Sequence, residues 1–242
     1  MYGKFYKEYG LTPCKGILLY GPTGCGKTMI AKAIASNFLK GKNITQDSFI
    51  YMKGGEMLSP WVGAAENNIK SVFTRARRNY KENGNKSVIF IDEAEALLPA
   101  RGSRRSSDVD TTIVPTFLSE MDGFEDNSTF IILATNHPNQ LDSAVIRPGR
   151  IDLKIEIGRP VKEDAIDIFD LYLHKTKCNK DACDLASIAA EHLFNTDKVT
   201  LVSGALIKNI VDRACLAAVR RATKGKNTGV TEEDIVQAIN TL

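Results

Sequence analysis

The chain has 242 residues, 43% hydrophobic and 25% charged, with a net charge of +3. That length supports a full hydrophobic core, so no disulfide or metal staple is required, and the near-balanced charge neither demands nor forbids an anionic partner. The apolar runs fall far short of the ~20 residues that a membrane-spanning helix needs.

The first β-like run is 16–20 (GILLY). Gly21, Pro22, Thr23, Gly24, Cys25, Gly26, Lys27 and Thr28 follow it, with Met29 next, and 27–39 reads as a helix. The spacing GxxxxGK[ST] between a strand and a helix is a phosphate-binding loop. Its glycines let backbone N–H groups turn inward, its lysine reaches the β/γ oxygens, and its hydroxyl ligates Mg²⁺. The helix adds its N-terminal dipole.

The second run is 48–52 and the third is 87–91, with a helical pattern over 64–80 between them. The third run ends in Asp92 and Glu93. Adjacent carboxylates have no structural use at the end of a buried strand, since uncompensated buried charge is costly. Beside a metal-bound phosphate both gain a role: Asp92 holds Mg²⁺ through water, and Glu93 orients or deprotonates the attacking water. The bland alternative makes Asp92 a helix N-cap. The basic, small-residue-rich stretch 99–107, with Arg101, Arg104 and Arg105, reads as an exposed loop before a helix over 111–121. The fourth run, 129–134, leads into Thr135 and Asn136. Asn136 then sits beside the acid pair, where it can position water or sense the γ-phosphate; alone, before His-Pro, it reads equally well as a turn former. The fifth run is 153–157.

Most of these runs are continuously apolar, which marks strands covered on both faces of a parallel sheet. Their alternation with helices predicts a three-layer α/β domain over 1–160. After Pro160 only helical patterns follow, at 163–176, 184–193, 204–222 and 232–242, and these predict a small helical lid over 161–242. Thr231 with Asp234 is a capping pattern for the last helix.

The strand-tip motifs occur in the order and spacing of the AAA ATPases, and the chain resembles that family over nearly its whole length. The resemblance implies a P-loop NTPase fold with a five-stranded parallel sheet in the order 5-1-4-3-2 and a helical lid. It implies ATP and Mg²⁺ as cofactors, and Arg147 and Arg150, in Leu141–Asp152, as arginine fingers acting on a neighbour's ATP; on the residues alone the same run reads as a surface turn with a local salt bridge. A homo-oligomeric ring, usually a hexamer, follows from the fingers. Asp122-Gly123-Phe124 matches an intersubunit signalling motif. Trp61 and Val62, before Gly63, fall at an aromatic pore loop that grips threaded polypeptide; the alternative for Trp61 is a buried loop anchor. Ile168 and Phe169 match apolar lid positions that contact adenine, and Gly204 and Ala205 open the third lid helix, at the nucleotide, as in relatives where that pair replaces a sensor arginine. Thr23 replaces a second proline usual in the family, and Tyr172 replaces a lid histidine, which leaves the purine contact there open.

The likeness is to proteasome-associated ATPases, with Cdc-type segregases and membrane AAA proteases near. It implies a protein substrate and an adaptor or protease partner, while the near-balanced charge and the lack of interleaved aromatics give the expectation of no nucleic acid. A nucleic-acid motor using the Arg101–Arg105 cluster and a nucleotide-gated scaffold stand as alternatives. Cys14, Cys25, Cys178, Cys183 and Cys215 form no CxxC pair, and this scatter, with no leader after Met1, gives the expectation of a cytoplasmic protein.

Overall fold

A computed structural model describes residues 8–9, 14–40, 44–58, 63–100, 102, 110–123, 129–196, 201–225 and 229–242. The chain divides into two compact units. One comprises 1–21 with 27–157; the other comprises 158–242 together with the short segment 22–26. The Pro160 boundary expected from composition does not reveal that second assignment.

The first unit is built on strands β1 (Gly16–Tyr20), β2 (Phe49–Lys53), β3 (Ser87–Asp92), β4 (Thr129–Thr135) and β5 (Leu153–Glu156). They lie in the order β2-β3-β4-β1-β5, all parallel, as expected. Its helices are α1 (Lys27–Leu39), α2 (Gly54–Met57), α3 (Ala64–Asn83), α4 (Ala94–Leu97) and α5 (Asp110–Asp122). The four-residue helices α2 and α4 are too short to carry a period, which is why the pattern reading misses them.

Alternation along each strand explains the continuous apolar runs. Leu18, Ile89, Ile91, Ile131 and Leu133 face one core with Ile69 and Phe73 of α3 and Phe117 and Met121 of α5. Their neighbours Ile17, Leu19, Val88, Phe90 and Ile132 face the opposite core, against Ala31, Ala35 and Leu39 of α1. Phe73 and Phe117 meet edge to face with centroids 5.5 Å apart. Successive residues point to opposite faces, so a strand covered on both sides is apolar at every position. β2 begins one residue later than its pattern suggests, because Ser48 closes a turn by accepting the Thr45 N–H at 2.9 Å. α3 runs to Asn83 and stops at Gly84, whose φ of 65° is a left-handed cap that glycine adopts without strain.

The second unit holds α6 (Lys162–Leu173), α7 (Ala182–Asn195), α8 (Gly204–Ala222) and α9 (Glu232–Asn240) around a core that includes Phe169, Leu185, Ile207, Ile210 and Ile235. α6 ends at Leu173, short of the expected 176, where the Thr176 hydroxyl turns back onto the Leu173 carbonyl. α7 starts at Ala182, because Asp181 caps it through the Cys183 N–H at 2.8 Å.

Asp234 is buried at 4% exposure and closes this unit electrostatically. It pairs with both Arg221 Nη atoms and accepts the Thr231 N–H and hydroxyl, each at 2.9 Å, in the capping box of α9. Burial pushes its pKa up, but the hydrogen bonds from Arg221 and Thr231 outweigh burial and hold it below the ordinary carboxylate value. A carboxyl whose pKa is lower folded than unfolded stabilises above the unfolded value of ~3.9 and loses that contribution as pH falls through the folded value. Thermal melts between pH 7 and pH 2 are therefore expected to show Tm falling below about pH 4. Asp234→Asn should lower Tm at pH 7 and flatten that acid limb; an identical acid limb in the variant would remove Asp234 as its source.

Candidate active site

The carboxyl ends of β1, β3 and β4 are neighbours, because β4 lies between the other two. In open α/β sheets that edge is where ligands collect. β1 leads through Gly21 toward α1. Gly21 has φ 146°, and a Cβ there would stand 2.1 Å from the Ile157 carbonyl oxygen, so no other residue fits. Its N–H donates to the Thr135 carbonyl at 3.3 Å, which ties the loop entrance to the end of β4. Gly24 and Gly26 also have positive φ, 79° and 91°, so the loop backbone turns repeatedly as a phosphate cradle must.

Lys27 opens α1 and is only 7% exposed, a depth at which lysine is rarely found unless paired. Its ammonium donates to the Gly21 carbonyl at 2.8 Å, which aims it back into the loop. The first turn of α1 itself carries no acidic residue. The Thr28 hydroxyl donates to Asp92 Oδ2 at 2.7 Å. The two residues expected to serve Mg²⁺ are thus already in contact, 64 positions apart in sequence. A hydroxyl and a carboxylate are the hard oxygen donors that Mg²⁺ takes, and the glycine cradle with its buried lysine suits a polyphosphate. Met29 is exposed on α1.

The other Asp92 oxygen accepts the N–H of Glu93 at 3.0 Å, so Asp92 is a strand-end carboxylate; the residue preceding α4 is Glu93. Glu93 has φ 52° and ψ 47°, the one non-glycine residue with positive φ among those described. A left-handed conformation costs an L-residue roughly 1–2 kcal/mol, and such strain concentrates at functional positions. It is held by the Ala96 N–H on the Glu93 carbonyl at 2.9 Å and by the backbone at Gly54, where a Cβ would come within 2.3 Å of that carbonyl. Lys53, at the end of β2, places its ammonium 3.2 Å from Glu93 Oε1. Neither Lys53 nor Gly54 is marked by any motif; both are found only because β2 pairs with β3, with Lys53 opposite Asp92.

Asn136 follows β4 directly and is half-buried. Ile91 pairs with Leu133, so Glu93 and Asn136 leave adjacent strands at the same end. Arg147 is exposed and makes no side-chain hydrogen bond or ion pair among the described residues. Arg150 differs: its Nε and Nη2 bind both Asp122 oxygens at 3.0 and 2.6 Å, and its Nη1 donates to the Ala144 carbonyl at 2.7 Å. The hydrogen bond from Arg150 holds the Asp122 carboxyl below its usual range. The two arginines are therefore unequal: one is presented outward, and the other is fastened within its own chain to the Asp122-Gly123 motif.

In the second unit, Gly24 meets the start of α8. Its carbonyl accepts the Ala205 N–H at 3.0 Å, and a Cβ on Gly24 would contact Ala205 Cβ at 3.0 Å. Ser203 caps α8 through the Leu206 N–H at 3.2 Å, and Gly204 lies so close that its Cβ would stand 3.3 Å from the Gly24 carbonyl. Ile168 packs, partly buried, against the core of this unit. Trp61, Val62, Arg101, Arg104, Arg105 and Phe124 lie outside the described residues.

The description of the ATPase family associated with various cellular activities (AAA) matches residues 17–159. The chain belongs to the AAA ATPase family. Membership makes this an ATPase domain, with the P-loop fold described above. A second match, to the ARC AAA+ ATPase lid domain, covers 186–241. The AAA chain is similar to an "AAA ATPase forming ring-shaped complexes" of Corynebacterium glutamicum (strain R), at 42% identity over 99% of this chain and 49% of the relative. It is similar to a protein of the same description from Bifidobacterium longum (strain NCC 2705), at 40% identity over 90% of this chain and 48% of the relative. It is also 39% identical to a "Proteasome-associated ATPase" of Jonesia denitrificans, over 96% of this chain and 50% of the relative. The chain spans about half the length of the curated relatives it matches. Among the described residues no helix is long and apolar enough to cross a membrane.

Proposed function

We propose that this AAA domain hydrolyses ATP as one member of a homo-oligomeric ring, hexameric in the form the family resemblance implies, and that the ring does mechanical work on polypeptide. The observation that carries the hydrolytic part is the Thr28–Asp92 contact beside the left-handed Glu93. In this reading Lys27 binds the β/γ-phosphates, Thr28 and Asp92 hold Mg²⁺, and Asn136 orients the water or the γ-phosphate. Glu93 accepts the water's proton as its oxygen attacks phosphorus and ADP leaves. Mg²⁺ bound there supplies neutralisation of charge on the phosphate oxygens. Gly21, Pro22, Thr23, Gly24, Cys25 and Gly26 line the phosphates, with Met29, Ile168, Gly204 and Ala205 as further nucleotide contacts. Arg147 and Arg150 serve the neighbour's site. The exposure of Arg147, which has no side-chain partner among the described residues, and the ring-forming description of the relatives support that arrangement.

The polypeptide-threading part rests on Trp61 and Val62 and on the relative described as proteasome-associated. A proteasome or similar protease, reached directly or through an adaptor, is the proposed partner, and the cytoplasm the proposed compartment. Trp61→Ala is expected to leave ATP turnover within about twofold while reducing unfolding of a labelled protein substrate at least tenfold, since aromatic packing on the substrate is the grip being removed. Unchanged unfolding by the variant ring would sink the pore role and leave the ATPase assignment standing.

A further inference from the structure

We propose that Glu95 is a positioning residue for hydrolysis: its carboxylate, through the Thr135 hydroxyl, sets the spacing between Glu93 on one strand end and Asn136 on the next. The inference rests on the reading of Asn136 as a water- or phosphate-orienting group.

The contacts form a short relay. Thr135 Oγ1 donates to Glu95 Oε2 at 2.6 Å, and the His137 N–H donates to Thr135 Oγ1 at 2.9 Å. A hydroxyl has one proton to give and lone pairs to accept with, so the Thr135 hydroxyl is used in both senses. Thr135 is 1% exposed, and water therefore offers no substitute partner. At 2.6 Å the bond is at the short end of the O–H···O range. Glu95 makes no other hydrogen bond among the described residues.

The location matters more than the bond. Ladder pairing between β3 and β4 ends at Ile91 opposite Leu133. Ala134 and Thr135 stay paired to β1, through Leu19 and Tyr20, and have no partner on the β3 side. Glu93 and Asn136 thus emerge where the backbone no longer fixes the gap between β3 and β4. Glu95 lies two residues after Glu93, in the first turn of α4, and Thr135 immediately precedes Asn136. The Glu95–Thr135 bond spans that gap. The His137 N–H on the same hydroxyl fixes the turn in which Asn136 sits. Thr135 also offers its carbonyl to the Gly21 N–H. One residue therefore links the phosphate-loop entrance, the strand carrying Asn136 and the helix that begins beside Glu93.

A strut of this kind should act on the chemical step and leave nucleotide binding alone. In the full chain, assembled and saturated with Mg²⁺, Glu95→Ala and Thr135→Val are expected to lower kcat about tenfold with KM and the affinity for a fluorescent ATP analogue unchanged, the scale expected when a reacting group is displaced by a fraction of an ångström. Glu95→Gln keeps an acceptor oxygen and should stay within about twofold of the parent. Amide exchange of a peptide containing His137 should quicken in Glu95→Ala and not in Glu95→Gln. Asn136→Ala is measured in parallel. If Asn136→Ala is impaired while Glu95→Ala is not, the strut is wrong and the reading of Asn136 survives. If Glu95→Gln is as slow as Glu95→Ala, the carboxylate acts by charge and the strut is overturned. If Asn136→Ala turns over normally, the reading beneath the proposal fails and the proposal with it.

Discussion

Glu93→Gln is expected to reduce ATP turnover by about 10²–10⁴-fold, the usual contribution of a positioned general base, while leaving ATP affinity near the parent value. Glutamine keeps the shape of the side chain but does not take the water's proton at neutral pH. The phosphate-binding elements are untouched: Lys27 remains aimed by the Gly21 carbonyl, and Thr28 remains on Asp92. The fold should be unaffected as well. Glu93 loses its ion pair with Lys53, but both side chains are more than 40% exposed. A pair so open to water contributes little. The variant should therefore bind and retain ATP, and in a ring it should prolong the assembled state. Phosphate release, analogue binding and mass under native conditions measure the three quantities separately. Turnover equal to the parent would remove Glu93 from the chemistry.

Arg147→Ala has a comparable effect by a different route. An arginine finger stabilises charge on the transferring phosphoryl group and contributes about 10³–10⁵ in rate where it has been measured, so a loss of at least 10²-fold is expected here. Because the Arg147 side chain is exposed and unpaired among the described residues, its removal should leave the melting temperature unchanged. Arg150→Ala should behave less simply, since that arginine also binds Asp122 and the Ala144 carbonyl. The decisive measurement mixes two inactive proteins. Lys27→Ala has no working phosphate loop but an intact Arg147; Arg147→Ala has the reverse. If the finger serves a neighbour, mixed rings contain interfaces with both parts intact, and activity returns. A mixture as inactive as its components would place Arg147 outside the neighbour's site.

Much of this arrangement is legible in the linear sequence, for local reasons. A phosphate loop is a contiguous run in which each glycine answers a backbone demand, so Gly21, Gly24, Gly26 and Lys27 can be recognised without a fold. Strands covered on both faces announce themselves as apolar runs, and helices of three turns or more announce themselves by period. The four-residue helices α2 and α4 do neither. The left-handed Glu93 is illegible in another way: glutamate has no preference for that conformation, and the Gly54 backbone that lies against its carbonyl belongs to a segment some forty residues away.

By itself, then, the sequence determined which residues are chemically equipped: a loop that can wrap phosphate, a hydroxyl and carboxylate for a hard cation, an acid to take a proton, and two arginines that stay ionised. The three-layer class and the lid also followed from periodicity, which is a property of nearest neighbours. Only the tertiary structure decided partnership. The β2-β3-β4-β1-β5 order brings Lys53 to Glu93, Thr28 to Asp92 and Glu95 to Thr135, residues 40 to 64 positions apart along the chain. It also separated two arginines that look equivalent in sequence, leaving Arg147 outward and fastening Arg150 to Asp122. The physical reason is that charge and hydrogen bonding act over a few ångströms. Which groups come that close is set by strand order and register, and those are properties of the folded chain as a whole.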